Sequence, residues 1–195
     1  TLGPLPALVG ALYSFDFLAL DRDEFLVRNN LTLSAALVES EMNLTQVFVR
    51  YQDKNFAETS PPPVRQELRD ANNWMGGFLH LVRFAQDRHY LKAGYQVDRD
   101  DTDGGNYAYV GHRFTVGGQY TLPWWAIRLK YDFDAHLREY ENRNSILPTY
   151  APGTKKRQDE ELVNIFRAEL PLPASLTLAA EVQATRTYSN IEVFD

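Results

Sequence analysis

The segment WAIRLKYDFDAHLR, residues 125–138, decides the fold class. From Ile127 to Arg138, six apolar positions alternate with six polar ones without a break. Successive side chains of a β-strand point to opposite faces, so this period of two predicts a strand with one apolar and one polar face. Looser alternation of the same kind occurs over residues 91–98 and 176–183. An all-β chain of half-buried antiparallel strands is therefore expected.

Nine strands are predicted, and most exceed the five or six residues that are usual in globular proteins. A tilted strand that crosses a bilayer needs about 9 to 11 residues, so these lengths favour an up-and-down membrane barrel over a small sandwich. We expect one domain, residues 1–195, with strands at 8–20, 25–38, 43–52, 74–84, 89–98, 107–120, 124–138, 159–170 and 175–188.

The connections between the predicted strands alternate in length. Short turns are expected at 39–42, 85–88, 121–123 and 171–174, and long polar loops at 53–73, 99–106 and 139–158. Short turns on one rim and long loops on the other are typical of outer-membrane barrels. The first connection, 21–24, is short where this arrangement would prefer a long one.

Aromatic residues occur at both predicted ends of the strands. The loop-side group is Trp74, Tyr107, Tyr140 and Tyr188, and the turn-side group is Phe84, Tyr90, Tyr120, Trp124 and Trp125. Because amphipathic rings prefer the headgroup level of a bilayer, the two groups predict aromatic girdles. A general preference of aromatic residues for strands is the alternative explanation.

Composition excludes several classes of protein. No apolar run approaches the roughly 18 residues of a membrane-spanning helix, which excludes a helical membrane protein. A formal net charge of −6 argues against a nucleic-acid partner. The absence of cysteine excludes disulfides, thiolate metal sites and cysteine nucleophiles. The chain begins at Thr1 without a basic or apolar leader, so a secretory signal is expected upstream.

Residues 94–144 read GYQVDRDDTDGGNYAYVGHRFTVGGQYTLPWWAIRLKYDFDAHLREYENRN. This stretch resembles the C-terminal barrel of Gram-negative outer-membrane proteins that carry tetratricopeptide repeats ahead of the barrel. Surface lipoprotein assembly modifiers and polysaccharide-export porins are such proteins. The resemblance lies in the length of the strands, the alternation of short and long connections, and the pattern of aromatic and polar residues. It implies an outer-membrane location, a role in export or surface assembly, and helical repeats upstream of Thr1.

The strand count predicts an incomplete barrel. Single-chain bacterial barrels have even strand numbers and bring both ends back to the short-turn side, whereas a ninth strand ends among the long loops. At least one further strand is therefore expected after Asp195. Without it, the first and ninth strands each keep an unpaired edge, and the sheet stays open.

One face of the predicted sheet carries charges of both signs. These residues are expected to face an enclosed lumen, while Ile127, Leu129, Tyr131 and Phe133 face outward. Mixed signs favour cross-strand neutralisation over ion selectivity, and a charged channel or a held plug stays an alternative. The lumen-facing candidates are Lys92, Arg113, Arg128, Lys130, Asp132, Asp134, His136, Arg138 and Glu181.

An acidic cluster is the one candidate for a metal site. Asp98, Asp100, Asp101 and Asp103 offer the hard oxygen ligands that Ca²⁺ prefers, although their spacing is not that of an EF-hand. A solvated acidic turn is the favoured interpretation, with divalent ions bridging to lipopolysaccharide phosphates as the alternative. No cofactor is expected.

No catalytic set is identified. The histidines His80, His89, His112 and His136 lack metal-ligand spacing, and no serine, histidine and acid arrangement can be nominated. Ser189 and Asn190 are the residues on which an outer-membrane hydrolase would rest.

The leading hypothesis is an outer-membrane barrel, not an enzyme, that acts as a passage or assembly platform for export of a surface polymer or lipoprotein. Its expected partners are outer-membrane lipid and lipopolysaccharide. The alternative is a soluble all-β ligand-binding module of lipocalin or lectin type, and an outer-membrane hydrolase is third. The direction of the apolar face discriminates between the first two: outward in a membrane barrel, inward in a soluble module.

Overall fold

In the computed structural model, the chain forms one antiparallel sheet of nine strands. The structure describes residues 6–20, 23–57, 65–143 and 156–191. Each strand pairs with the next one along the chain. The strands are β1 (Ala7–Leu20), β2 (Asp23–Val38), β3 (Asn43–Phe56), β4 (Ala71–Phe84), β5 (His89–Thr102), β6 (Tyr109–Thr121), β7 (Arg128–Arg143), β8 (Lys156–Pro171) and β9 (Thr177–Ser189). The predicted all-β, up-and-down fold is confirmed.

Helical structure is limited to one 3₁₀ turn, Arg65–Glu67, in the described part of the chain. No described helix has the length and apolar character that crossing a bilayer requires.

The sheet is open. Over the described residues β1 pairs only with β2, and β9 pairs only with β8. Because alternate strands reverse direction, the two edge strands run the same way, and a direct β1–β9 pair would be parallel. The expected open sheet is confirmed.

Several strands are longer than the sequence predicts. β3 continues to Phe56, β4 begins at Ala71 and β5 continues to Thr102, so the expected loops 53–73 and 99–106 contain strand residues at their ends. Residues 58–64 of the first of these loops lie outside the described residues, as do 21–22 and 144–155.

The short turns form one rim of the sheet, the turn rim. Consecutive non-glycine residues there have positive φ: Trp125 and Ala126 at 58° and 50°, and Ala174 and Ser175 at 60° and 60°. Two left-handed residues in succession match the twist of paired strands, as in type I′ hairpins. Because the turn at Trp125 and Ala126 comes first, β7 begins only at Arg128, and the predicted start at Trp124 is wrong.

The opposite rim, the loop rim, is held by contacts between loops. The Asp103 amide donates to the Asp70 carbonyl at 2.9 Å, and the Asn106 amide donates to the Gln66 carbonyl at 3.1 Å. The Phe56 amide donates to Asp70 Oδ1 at 2.7 Å. Segments 65–70 and 103–108 therefore pack together as one unit.

Gly104 is expected to be essential to this packing. A Cβ there would lie 2.4 Å from the Leu68 carbonyl oxygen and 2.5 Å from the Leu68 nitrogen, so Gly104→Ala must push the two loops apart. We expect a loss of about 1–3 kcal/mol of stability and faster proteolysis within residues 57–70. Gly105→Ala is the control, because its Cβ would meet only the Asn142 side chain at 3.3 Å. Equal proteolysis rates for both variants would contradict this account.

The two faces of the sheet differ sharply. The inner face contains the buried polar side chains Asn30, Gln52, Asn73, Asp98, Asp100, His136, Asp159 and Glu169. The outer face exposes large apolar side chains on every strand, among them Phe15, Leu33, Val49, Phe78, Leu91, Val116, Tyr131, Phe166 and Val182. Inner-face residues of β1 to β6 enclose one cavity, so the inner face is the concave one.

β7 follows the predicted orientation. Leu129, Tyr131 and Phe133 lie on the outer face, whereas the alternating charged residues lie on the inner face and pair with neighbouring strands. Ile127 lies in the turn before the strand.

Two aromatic residues depart from the predicted girdles. Tyr140 is buried on the inner face, where its hydroxyl donates to Asp159 Oδ2 at 3.1 Å. Tyr90 also lies on the inner face, opposite Gln119. Because successive side chains of a strand point to opposite faces, these two rings point inward. Their positions along the chain alone did not reveal this orientation. Phe84 and Tyr120 lie on the outer face near the turn rim, and Trp124 and Trp125 are exposed in the turn itself.

Candidate functional site

The candidate site is the charged part of the inner face, formed by β5 to β9. Strand register places all nine lumen-facing candidates on this face and brings each into contact with a charged neighbour. They are Lys92, Arg113, Arg128, Lys130, Asp132, Asp134, His136, Arg138 and Glu181.

The centre of the site contains two ion pairs. Lys92 Nζ lies 2.6 Å from Asp132 Oδ1, although β6 separates their strands. Gly117 is the β6 residue between them, and a Cβ there would lie 2.1 Å from Asp132 Oδ1. The pair therefore depends on glycine. Arg113 Nε lies 3.2 Å from Asp134 Oδ1, and the Thr115 hydroxyl donates to the same carboxylate.

His136 and Asp98 form a second pair that reaches across β6, and Gly111 is the β6 residue between them. His136 Nε2 is 3.0 Å from Asp98 Oδ1, and both side chains are buried. Arg113 approaches His136 Nδ1 at 3.3 Å. Since a guanidinium can only donate, these contacts fit a ring that accepts at Nδ1 and donates from Nε2 to the carboxylate. A Cβ on Gly111 would lie 2.4 Å from Asp98 Oδ1.

Near the turn rim, one carboxylate binds three cations. Glu169, only 4% exposed, receives Lys130 Nζ at 2.8 Å, Arg128 Nε at 3.0 Å and Arg167 Nε at 2.8 Å. Arg167 also reaches Glu181 on β9 at 3.5 Å. Glu169 and Arg167 are not recognisable as site residues from the sequence, because apolar residues occupy both faces of β8 and obscure its alternation.

Toward the loop rim the pairing continues. Arg138 NH2 lies 2.9 Å from Glu161 Oε2, Lys54 Nζ lies 2.8 Å from Asp100 Oδ1, and Arg157 NH2 lies 2.6 Å from Asp159 Oδ2. Charges of the inner face thus largely neutralise one another. This arrangement favours cross-strand pairing over selectivity for one sign of ion.

The structure does not bring the four aspartates of the calcium candidate together. β5 extends through this segment, so alternation places Asp98 and Asp100 on the inner face, against His136 and Lys54. Asp101 and Asp103 are exposed instead. Among the described residues, no group of three or more acidic, histidine or cysteine side chains has an arrangement suited to a metal ion.

The remaining histidines have local partners on the outer face or at the turn rim. His80 Nδ1 lies 2.7 Å from the Thr45 hydroxyl, and His112 Nδ1 lies 2.7 Å from the Tyr95 hydroxyl. These hydrogen bonds explain how polar rings occur among apolar outer-face residues. His89 stacks on Tyr120 with ring centroids 4.5 Å apart.

The residues nominated for a hydrolase have contacts at the β8–β9 edge. The Asn190 side chain donates to the Lys156 carbonyl and accepts from the Gln158 amide, both at 2.9 Å. Ser189 lies opposite Asp159. Asn190 thus fastens the end of β9 to the start of β8.

Comparisons of this chain with protein-family models, with curated proteins and with solved structures give no match.

Proposed function

We propose that this chain forms most of an outer-membrane β-barrel whose wet interior serves as a passage or assembly platform for export of a surface polymer or lipoprotein. The observation that carries the proposal is the outer face, where large apolar side chains are exposed on all nine strands. Monomeric soluble proteins rarely expose contiguous apolar patches above a few hundred Å². A lipid environment would cover this face.

Strand length and hydrogen bonding agree with a lipid environment. The shortest strands have 13 residues and the longest 16, which exceeds the roughly 9 to 11 residues needed to cross a bilayer. Each interior strand pairs on both sides, so its backbone amides and carbonyls have partners without water.

The neutralised inner face favours passage of a large solute over selection of ions. A channel selective for one sign of ion needs a ring of like charges, whereas these cations and anions bind one another. A soluble lipocalin-like or lectin-like module would direct its apolar face into a core. In this structure the apolar face of the sheet is the exposed one.

Tryptophan fluorescence in lipid tests the membrane part of the proposal. Trp74 is exposed on the outer face of β4, and Trp124 and Trp125 are exposed at the turn rim. We expect vesicles of brominated phosphatidylcholine to quench more than half of the fluorescence that the same protein shows in unbrominated vesicles. Unchanged fluorescence in brominated vesicles, with quenching by aqueous iodide, would argue for a water-exposed surface.

Solute release tests the passage part. Vesicles loaded with a neutral oligosaccharide should lose it faster when they contain the protein than when they are protein-free. Strong tryptophan quenching without any release would keep the membrane assignment and overturn the passage.

A further inference from the structure

A cavity occupies the concave side of β1 to β6, and Lys92, which is paired with Asp132, lies at its border. Its volume is about 450 Å³, within the range of about 300–1,000 Å³ that is usual for small-molecule sites. Leu12, Phe48 and Leu79 contribute an apolar wall. Thr32, Ser34 and Gln96 contribute hydroxyl and amide groups.

The described part of the sheet covers the apolar wall only in part, since Leu12 is exposed and Phe48 and Leu79 are half-buried. Leu12 lies on the inner face of β1, opposite Thr32, and is 66% exposed. Phe48 and Leu79 lie on neighbouring strands of the same face. The inner face of β1 to β4 therefore has an apolar patch around these three residues, with polar side chains such as Asn30 and Gln52 nearer the loop rim.

Arg50 lies at the loop-rim side of this wall. It follows Phe48 by two residues on β3, and so points to the same face, between Thr32 on β2 and Met75 on β4. Every other arginine or lysine on the inner face of the described strands has a carboxylate within 4.0 Å. Arg50 has none among the described residues, and its buried Nε has no acceptor there.

We infer that this part of the inner face binds a single-chain anionic amphiphile of the fatty-acid type. Its carboxylate would accept hydrogen bonds from Arg50, and its hydrocarbon tail would cover Leu12, Phe48 and Leu79. A small anion would leave the wall exposed, and a neutral lipid would leave the guanidinium unpaired. A charge-assisted bond and apolar burial at adjacent positions select a molecule that has both groups. The inference goes beyond the proposed function, because it needs only the concave face and not the membrane.

A single introduced cysteine reports on the cavity, because the chain contains no other. Ser34→Cys places a thiol in the lining. We expect dodecanoate, below its micelle concentration, to slow alkylation of this thiol by a charged maleimide at least fivefold. In the same background, Arg50→Gln should remove most of the protection and Arg50→Lys should keep part of it.

Matched probes separate the head from the tail. Dodecanol has the same tail without the charge, and acetate has the charge without the tail, so neither should protect at equal concentration. Leu79→Gln should weaken protection by dodecanoate. Arg186→Gln is the control variant, since Arg186 lies over the Tyr188 ring on β9, and it should change nothing.

The inference is overturned if dodecanol protects as well as dodecanoate, or if Arg50→Gln leaves protection intact. The alkylation rate without ligand reveals any variant that fails to fold, because an unfolded chain exposes the thiol. In that case Arg50→Lys and Leu79→Gln decide the outcome. Tryptophan quenching in the same samples shows separately whether the protein is in lipid.

Discussion

Val116→Arg is expected to lower the free energy of unfolding in lipid vesicles by about 2–4 kcal/mol, which is the cost of a charge near mid-depth on the proposed lipid face. Val116 lies in the middle of β6, is 53% exposed, and has Ala93 and Phe133 as its neighbours on the two adjacent strands. In the proposed membrane barrel, an arginine there would not reach a headgroup without distorting the bilayer. Urea titration of the folded protein in vesicles gives the value.

Glu139→Arg is the control for Val116→Arg. Glu139 lies on the outer face as well, but in the loop-rim part of β7, where this face already carries a charge. Arginine is expected to change stability there by no more than about 0.5 kcal/mol, as at an exposed surface position. If Val116 were exposed to water, its substitution would be equally mild. Equal effects at the two sites would therefore contradict the membrane proposal.

The late start of β7 changes the expectation for Leu129. A strand beginning at Trp124 would place Leu129 well inside the bilayer, where Leu129→Arg would cost about 2–4 kcal/mol. Since β7 begins at Arg128, Leu129 lies next to the turn rim. A charge near the interface costs about 0–1 kcal/mol, and this smaller effect is now expected.

The strand order was predictable because its signals are local. Alternation over 125–138 identifies β7, and the turn after Phe84 was located correctly at 85–88. The strand ends were not predictable, since they depend on partners. Asp53 and Lys54 are polar and indicate a loop by themselves, yet they continue β3 by pairing with Asn72 and Ala71. Strand formation by polar residues depends on cross-strand context.

The charged face was predictable, but its pairing was not. Alternation shows that Lys130 lies on the polar phase, whereas its contact with Glu169 follows from the register of β7 with β8. Register is a property of two strands, and a shift of one residue would reverse every side chain. The same limit explains the calcium candidate, because the predicted strand ended at Asp98 and the following aspartates indicated a loop, whereas β5 continues to Thr102.

Gly111→Ala is expected to destabilise the protein by about 3 kcal/mol. The new Cβ would lie 2.4 Å from Asp98 Oδ1 and 2.6 Å from His136 Nε2, and neither side chain can move freely because both are buried. Overpacking costs about 1–3 kcal/mol, and a buried polar group that loses its partner costs about as much. Gly76→Ala is the control: its Cβ would meet nothing closer than the Phe48 carbonyl oxygen at 3.8 Å. Alanine there should be neutral or stabilise by about 0.5 kcal/mol.

A double-mutant cycle then identifies the cause of the Gly111→Ala effect. If the methyl group acts by displacing the carboxylate, Gly111→Ala should cost less than about 1.5 kcal/mol in an Asp98→Ala background, where the nearest atom has been removed. The two substitutions would then couple by at least about 1 kcal/mol. An unchanged cost would mean that the methyl group disturbs the β5–β6 backbone pairing instead. In that case the glycine would not be present to make room for the His136–Asp98 pair, and the parallel argument for Gly117 beneath Lys92 and Asp132 would fail with it.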